Sequence, residues 1–106
     1  MANSLRQQPK EKRSKMELYY AVLRAIQDDS IYNKSVKPTR IQFLVGTSYD
    51  KLTVYLDELK EKKLVKLDPI IITENGKKFI REYNKINEMT IKLGLKFIDW
   101  LTDAFI

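Results

Sequence analysis

Apolar residues recur at helical spacing in three stretches within the first 60 residues. In the first stretch they are Leu18 (or Tyr19), Val22, Leu23 and Ile26. Steps of three and four place such residues on one face of a helix, which we expect to begin near Ser14. The polar sequence DDSIYNKSVKP that follows predicts a loop, with room for a short strand around residues 35–37.

The second stretch begins with Thr39-x-x-Gln42, which is a capping-box pattern for a helix start. We expect Gly46 to end this helix, because glycine adopts the left-handed conformation at little cost. The predicted buried side of the helix consists of Ile41, Leu44 and Val45.

The third stretch predicts an amphipathic helix directly after Gly46. Thr47 with Asp50 repeats the capping pattern, and Ser48 is an alternative cap. Lys62 and Lys63 are predicted to lie in the last turn, where positive charge suits the helix dipole. The apolar stripe of this helix consists of Leu52, Tyr55, Leu56 and Leu59.

Two short apolar runs follow, from 64 to 67 and from 70 to 72. Asp68-Pro69 separates them, which predicts a hairpin with a very short connection. Thr73 is placed to cap a fourth helix.

The fourth helix carries a heptad pattern. From Phe79 the apolar positions advance by alternating steps of four and three for more than three repeats, which is typical of a coiled coil. A second stripe joins it through Ile91, Ile98, Leu101 and Phe105. The predicted dimer seam consists of Phe79, Tyr83, Ile86, Thr90, Leu93, Phe97 and Trp100.

The order helix, helix, tight turn, helix, hairpin, long helix predicts a mostly α protein with a short β-hairpin. It is the order of a winged helix-turn-helix followed by a coiled-coil arm. We divide the chain into a flexible basic tail (1–13), a winged helix-turn-helix domain (14–73) and a dimerisation helix (74–106).

Composition narrows the function classes. The chain has 106 residues and neither Cys nor His, which removes disulfides, thiolate metal sites and imidazole bases. With only three glycines it has no glycine-rich phosphate loop. We therefore expect no enzyme, cofactor, metal or small-molecule ligand. The apolar segment GLKFIDWLTDAFI carries Asp99 and Asp103, which favours coiled-coil burial over a membrane surface.

The net charge of +6 makes polyanions plausible partners. The excess lies early in the chain: residues 1–15 carry net +4, and residues 67–106 sum to zero. We expect the first two-thirds of the chain to meet double-stranded DNA. Without a visible signal peptide, the expected location is the cytoplasm, in association with the chromosome.

Acidic residues on the third helix limit how it could approach DNA. Asp50 fits a role in the first turn, and Glu58 and Glu61 lie in the half that usually leaves the groove. Asp57 is expected to follow Val54 on the outer face, which favours a shallow approach by the N-terminal half. The candidate DNA-binding residues are Lys12, Arg13, Lys15, Lys37, Arg40, Thr47, Ser48, Tyr49, Lys51, Thr53, Val54 and Lys66.

Three segments resemble a known family: TSYDKLTVYLDELKEKKLV, IIITENGKKFI and the long C-terminal helix. Over about residues 14–100 the chain resembles archaeal winged-helix DNA-binding proteins, in particular the crenarchaeal ten-kilodalton chromatin protein family. The resemblance implies DNA binding without catalysis and dimerisation through an antiparallel coiled coil. The chain departs from the family in its longer basic tail and in its apolar segment after Gly94.

Three functions are compatible with these patterns. The preferred one is a dimeric chromatin protein that bridges or bends DNA with low sequence specificity. The second is a sequence-specific transcriptional regulator on the same fold. The third is a protein-interaction module that uses the coil.

Overall fold

The computed structural model describes residues 13–105, with side chains for residues 13–93. Four helices and one two-stranded antiparallel sheet follow the predicted order. The elements are α1 (Lys15–Tyr32), α2 (Pro38–Val45), α3 (Tyr49–Glu61), β1 (Val65–Lys66), β2 (Ile71–Ile72) and α4 (Glu74–Phe105).

Helix α1 begins where expected but ends later. Ser14 accepts a hydrogen bond from the Glu17 backbone, and the Glu17 carboxylate accepts one from the Ser14 backbone, forming a capping box. The predicted loop from residue 28 was wrong, because the helix continues to Tyr32. The buried Asp29 side chain has partners that stabilise this last turn. No strand forms at 35–37, within the described part of the chain.

Helix α2 differs from the prediction at its start and on one face. Pro38 occupies the first turn, Lys37 is the N-cap without a side-chain hydrogen bond, and the predicted Thr39 capping box does not form. Leu44 is 57% exposed, so its predicted burial was wrong. An eight-residue helix presents only a narrow buried face, which Ile41 and Val45 fill.

The turn into α3 follows the prediction closely. Gly46 has φ 77°, the left-handed conformation that favours glycine. Ser48, the alternative to Thr47, is the N-cap and accepts from the Lys51 backbone. The predicted stripe is buried throughout: Leu52, Tyr55, Leu56 and Leu59.

The end of α3 corrects one expectation. The helix stops at Glu61, Lys62 is its C-cap, and Lys63 lies beyond it with φ 63°. The Leu64 backbone N–H reaches back to the Leu59 carbonyl at 2.9 Å, which closes the helix with a Schellman-type turn. A non-glycine residue in this conformation costs about 1 kcal/mol.

The hairpin forms the wing. Val65 pairs with Ile72 and Lys66 with Ile71. Thr73 caps α4 by accepting from the Gly76 backbone, and its hydroxyl donates to the Lys63 carbonyl at 2.8 Å. The close approach of α4 to the wing explains the glycine in TENGKKF, because a Cβ there would collide with the Leu64 carbonyl oxygen.

The first turns of α4 pack against the helix-turn-helix unit. Ile80 is buried in the common core, and Tyr83 stacks between Phe79 and Tyr20 of α1 at ring-centre distances of 6.1 and 4.4 Å. Phe79 and Tyr83, the first two positions of the predicted seam, therefore contact their own chain. Farther along, Ile86 and Leu93 are exposed. The Phe97 and Trp100 side chains lie outside the described residues.

Candidate nucleic-acid interface

The outward face of α3 combines one cation with small polar and apolar groups. Tyr49 and Val54 are about half exposed, and Lys51 and Thr53 are also exposed. The Thr53 hydroxyl donates to the Tyr49 carbonyl at 3.0 Å, which leaves its oxygen as an acceptor towards solvent. Ser48 uses its oxygen as the cap, and Thr47 is half-buried in the turn. This face offers few hydrogen-bond donors for base edges.

A paired charge cluster joins α3 to α1. The Glu58 carboxylate accepts from the Tyr19 hydroxyl at 2.6 Å and from the Lys15 ammonium at 3.1 Å. The Lys15 ammonium also lies 5.5 Å from the centre of the Tyr55 ring. Glu58 therefore stabilises the contact between two helices, and Lys15 is already engaged by the protein.

The pKa values of Glu58 and Tyr19 are shifted in the directions that these hydrogen bonds predict. Donation by Tyr19, then by Lys15, lowers the pKa of Glu58 below its ordinary value. Burial, followed by the hydrogen bond to Glu58, raises the pKa of Tyr19 to about 12. The Lys62 ammonium lies 5.9 Å from the Tyr19 ring centre, on this same flank of α3.

Arg40 is held by a second ion pair. Its Nε and Nη2 donate to the two Asp29 oxygens at 2.9 and 3.0 Å, and Nη2 also donates to the Ser35 carbonyl. The Asn33 amide donates to Asp29 at 2.9 Å. Arg40 lowers the pKa of Asp29, since its hydrogen bonds favour the carboxylate. This guanidinium links α1, α2 and their connection, so most of its donors are directed into the protein.

The opposite flank of α3 faces the wing across a groove. Asp57 lines this groove together with Tyr49 and Thr53, two turns and one turn before it on the helix, and with Asp68 of the wing. Asp57 is exposed, and it lies on the wing side of the outward face, next to Tyr49 and Thr53. The remaining lining residues are Pro38, Leu56, Leu67 and Ile70.

The groove continues into a basic cleft at the end of α3. Leu67 lines both parts. Lys66, a predicted candidate, lies here together with Lys60 and Lys63, which the sequence reasoning missed. Lys60 could have been found from its spacing, because it lies seven residues, or about two turns, after Thr53 on the same helix. Lys63 and Lys66 could not, because only the folded turn brings them beside Lys60.

The root of the basic tail lies at the helix-turn-helix turn. The Arg13 guanidinium donates to the Val45 carbonyl at 3.2 Å, one residue before Gly46. Lys37 is exposed at the start of α2. Lys12 lies outside the described residues. Arg13, the last residue of the predicted tail, therefore lies beside the turn that begins α3.

Other site types find no support among residues 13–93. No group of three or more acidic residues is placed to hold a metal ion. No described helix has the length and apolar content needed to cross a membrane.

Comparison with protein-family models gives a match over residues 12–91, described as a winged helix-turn-helix. The chain belongs to the winged helix-turn-helix family. The matched range covers α1, the helix-turn-helix, the wing and the first half of α4, and this domain type indicates DNA binding. Comparison with curated proteins found no match.

Proposed function

We propose that this winged helix-turn-helix protein is a dimeric architectural protein that binds double-stranded DNA and bridges or bends it with low sequence specificity. Its expected location is on the chromosome, in the cytoplasm. The observation that carries the proposal is an unpaired apolar stripe on a helix that extends beyond its own domain.

That stripe lies on α4 beyond the contact with α1. Ile86 is 57% exposed and Leu93 66% exposed, and both occupy the heptad seam. Met89, about one turn after Ile86, is also exposed. A contiguous apolar surface of this kind on a soluble chain marks an interface. A second copy carries the same seam and could cover it.

Helix length connects dimerisation to bridging. The 32 residues of α4 span about 48 Å at 1.5 Å per residue. An antiparallel pair would place the two DNA-binding units near opposite ends of the rod. This separation exceeds the roughly 34 Å of one DNA turn, so a straight duplex would not meet both units in adjacent major grooves.

The surface of α3 supports low specificity. Its exposed outward residues include one lysine, and an acidic residue lines the groove beside them. Strong base selection usually requires bidentate donors such as arginine or asparagine, which this face lacks. Binding would then depend mainly on phosphate contacts, to which the basic tail adds.

Dimerisation can be tested with Ile86→Asp combined with Leu93→Asp. Sedimentation should report monomers, because two charges would be buried in the seam. The matched control places the same two aspartates at Lys85 and Lys92, exposed positions of α4 outside the seam, and should remain dimeric. Dimers that persist in the seam variant would overturn the interface.

Bridging can be tested by single-molecule imaging of long DNA at low protein coverage. The dimer should form loops, crossings or bends, and the seam variant should bind without forming them. Unchanged contour and bending, together with a footprint on one palindromic site, would contradict the architectural role.

A sequence-specific regulator is the second candidate. The groove between α3 and the wing favours it, because Thr53 and Asp57 present acceptors there that could meet the amino groups of adenine or cytosine. A regulator would bind one operator far more tightly than unrelated duplexes.

A further inference from the structure

Three lysines from three successive segments converge on one cleft. Lys60 belongs to the last turn of α3, Lys63 to the connection, and Lys66 to β1. All three side chains are exposed, and none forms an ion pair with another described residue. This cleft differs from the α1 flank of the same helix, where Glu58 neutralises Lys15.

The backbone position of Lys63 is a second observation. It adopts φ 63°, at the place in a Schellman-type turn where glycine is most stable. Its N–H bonds to the Lys60 carbonyl at 2.9 Å, and its own carbonyl accepts from Thr73, so the fold holds it in this conformation. A lysine at a position where glycine would be more stable suggests a use for the lysine side chain.

The adjoining part of the groove carries the opposite charge. Asp57 and Asp68 line it, and the described lining includes no cation there. A phosphate group entering between α3 and the wing would be repelled at that end and attracted at the lysine end. The charge distribution therefore favours one location for an anion along the groove.

We propose that Lys60, Lys63 and Lys66 together bind one backbone phosphate of duplex DNA. The inference rests on the proposed DNA binding and specifies where on the domain the backbone is held. The cleft is open and offers exposed ammonium groups without buried donors. It therefore suits a backbone phosphate, which the rest of the duplex holds in position, better than a small free anion. The contact would hold one strand at the C-terminal end of α3 while the N-terminal half approaches the major groove.

The test measures the affinity of the full chain for a duplex of mixed sequence across a salt series. Changing all three lysines to alanine should weaken binding about three- to tenfold and reduce the salt slope by about 0.9, the value for one phosphate contact. The matched control is Lys62→Ala, which removes one charge from the same helix end on the flank facing Tyr19. It should leave the slope nearly unchanged.

Lys63→Gly separates binding from stability. It should raise the melting temperature, because glycine relieves the left-handed conformation, and it should still weaken DNA binding. A variant that is more stable and binds as well as the wild type would overturn a role for the Lys63 side chain. A triple variant with an unchanged slope would overturn the site, while a slope reduced by nearly three contacts would indicate three separate phosphates.

Two further results separate failure of the proposed function from failure of this inference alone. They also separate binding of backbone phosphate from binding of free phosphate. If the wild type binds no duplex at low salt, the proposed function itself fails, whereas normal binding by the triple variant defeats only this inference. Inorganic phosphate, compared with chloride at equal ionic strength, should stabilise the wild type and the triple variant equally. Selective stabilisation of the wild type would instead indicate a site for small free anions.

Discussion

The two flanks of α3 both carry charged residues but use them differently. On the α1 flank, Lys15, Tyr19 and Glu58 satisfy one another within hydrogen-bonding distance. On the wing flank, Lys60 and Lys63 have no carboxylate partner among the described residues. Net charge alone does not distinguish these cases, because a lysine that holds two helices together contributes less to attracting DNA.

The largest effect is expected at the other ion pair that joins two helices, between the buried Asp29 of α1 and Arg40 of α2. Asp29→Ala should lower the melting temperature by roughly 5–10 °C, because Arg40 and Asn33 lose their acceptor. Thermal unfolding followed by circular dichroism provides the measurement. The control, Asp28→Ala, removes an exposed carboxylate 3.7 Å from Arg24 and should shift the midpoint by no more than about 2 °C. Equal shifts would contradict a structural role for the Asp29 pair.

A second pair of variants compares an engaged lysine with an unengaged one. Lys51→Ala should weaken binding to every duplex about threefold and reduce the salt slope by about 0.9, with little change in stability. Lys15→Ala should instead lower stability, since Glu58 and the Tyr55 ring lose a cation, and should change the slope less. Parallel salt titrations and melting curves measure both effects. A larger slope change for Lys15→Ala than for Lys51→Ala would contradict the distinction between paired and unpaired lysines.

These contrasts show what the sequence could predict. The α3 stripe, the Gly46 stop and the wing follow from local spacing and turn chemistry, and all three were confirmed. The last turn of α1 was missed because Asp29 is stabilised there by an ion pair with Arg40, eleven residues away, which local sequence patterns do not show. The predicted burial of Leu44 failed because helical spacing does not show how narrow the contact face is.

Within the candidate site, local spacing was most informative for residues on α3 itself. Local spacing identified Tyr49, Lys51 and Thr53 as exposed, and they are. The pairing of Lys15 with Glu58 spans 43 residues, so it depends on how α1 crosses α3. The lysine cleft likewise requires the folded wing, which brings Lys66 beside Lys60.

Removing the negative charge of Asp57 from the wing flank tests whether that flank lies near the DNA backbone. Asp57→Asn should raise affinity for all duplexes about twofold to threefold, because a negative charge near the backbone path is removed. Competition binding at low salt measures the change. Asp28→Asn, on an exposed site of α1, should leave affinity unchanged. If Asp57→Asn weakened binding to one sequence only, Asp57 would be a base-reading residue and the regulator would be favoured.

The smallest effect concerns the alkaline behaviour of the paired flank. The pKa of Tyr19 is raised to about 12, so its contribution is complete below the ordinary tyrosine value of 10.0 and is lost as pH rises from there to about 12. Tyr19→Phe should therefore lose less stability over that interval than the wild type. Melting temperatures across the pH series measure this difference. Tyr32→Phe, at a side chain 84% exposed, should behave like the wild type, and identical slopes for all three proteins would contradict the buried Tyr19 contact.

The central claim is that this protein binds duplex DNA through its backbone with little regard to sequence. The most direct measurement is the affinity of the full chain for several unrelated duplexes across a salt series. We expect similar affinities and parallel slopes that reflect several phosphate contacts. One duplex bound at least about a thousandfold more tightly than the rest, as specific binders show, or no binding at low salt, would contradict the account.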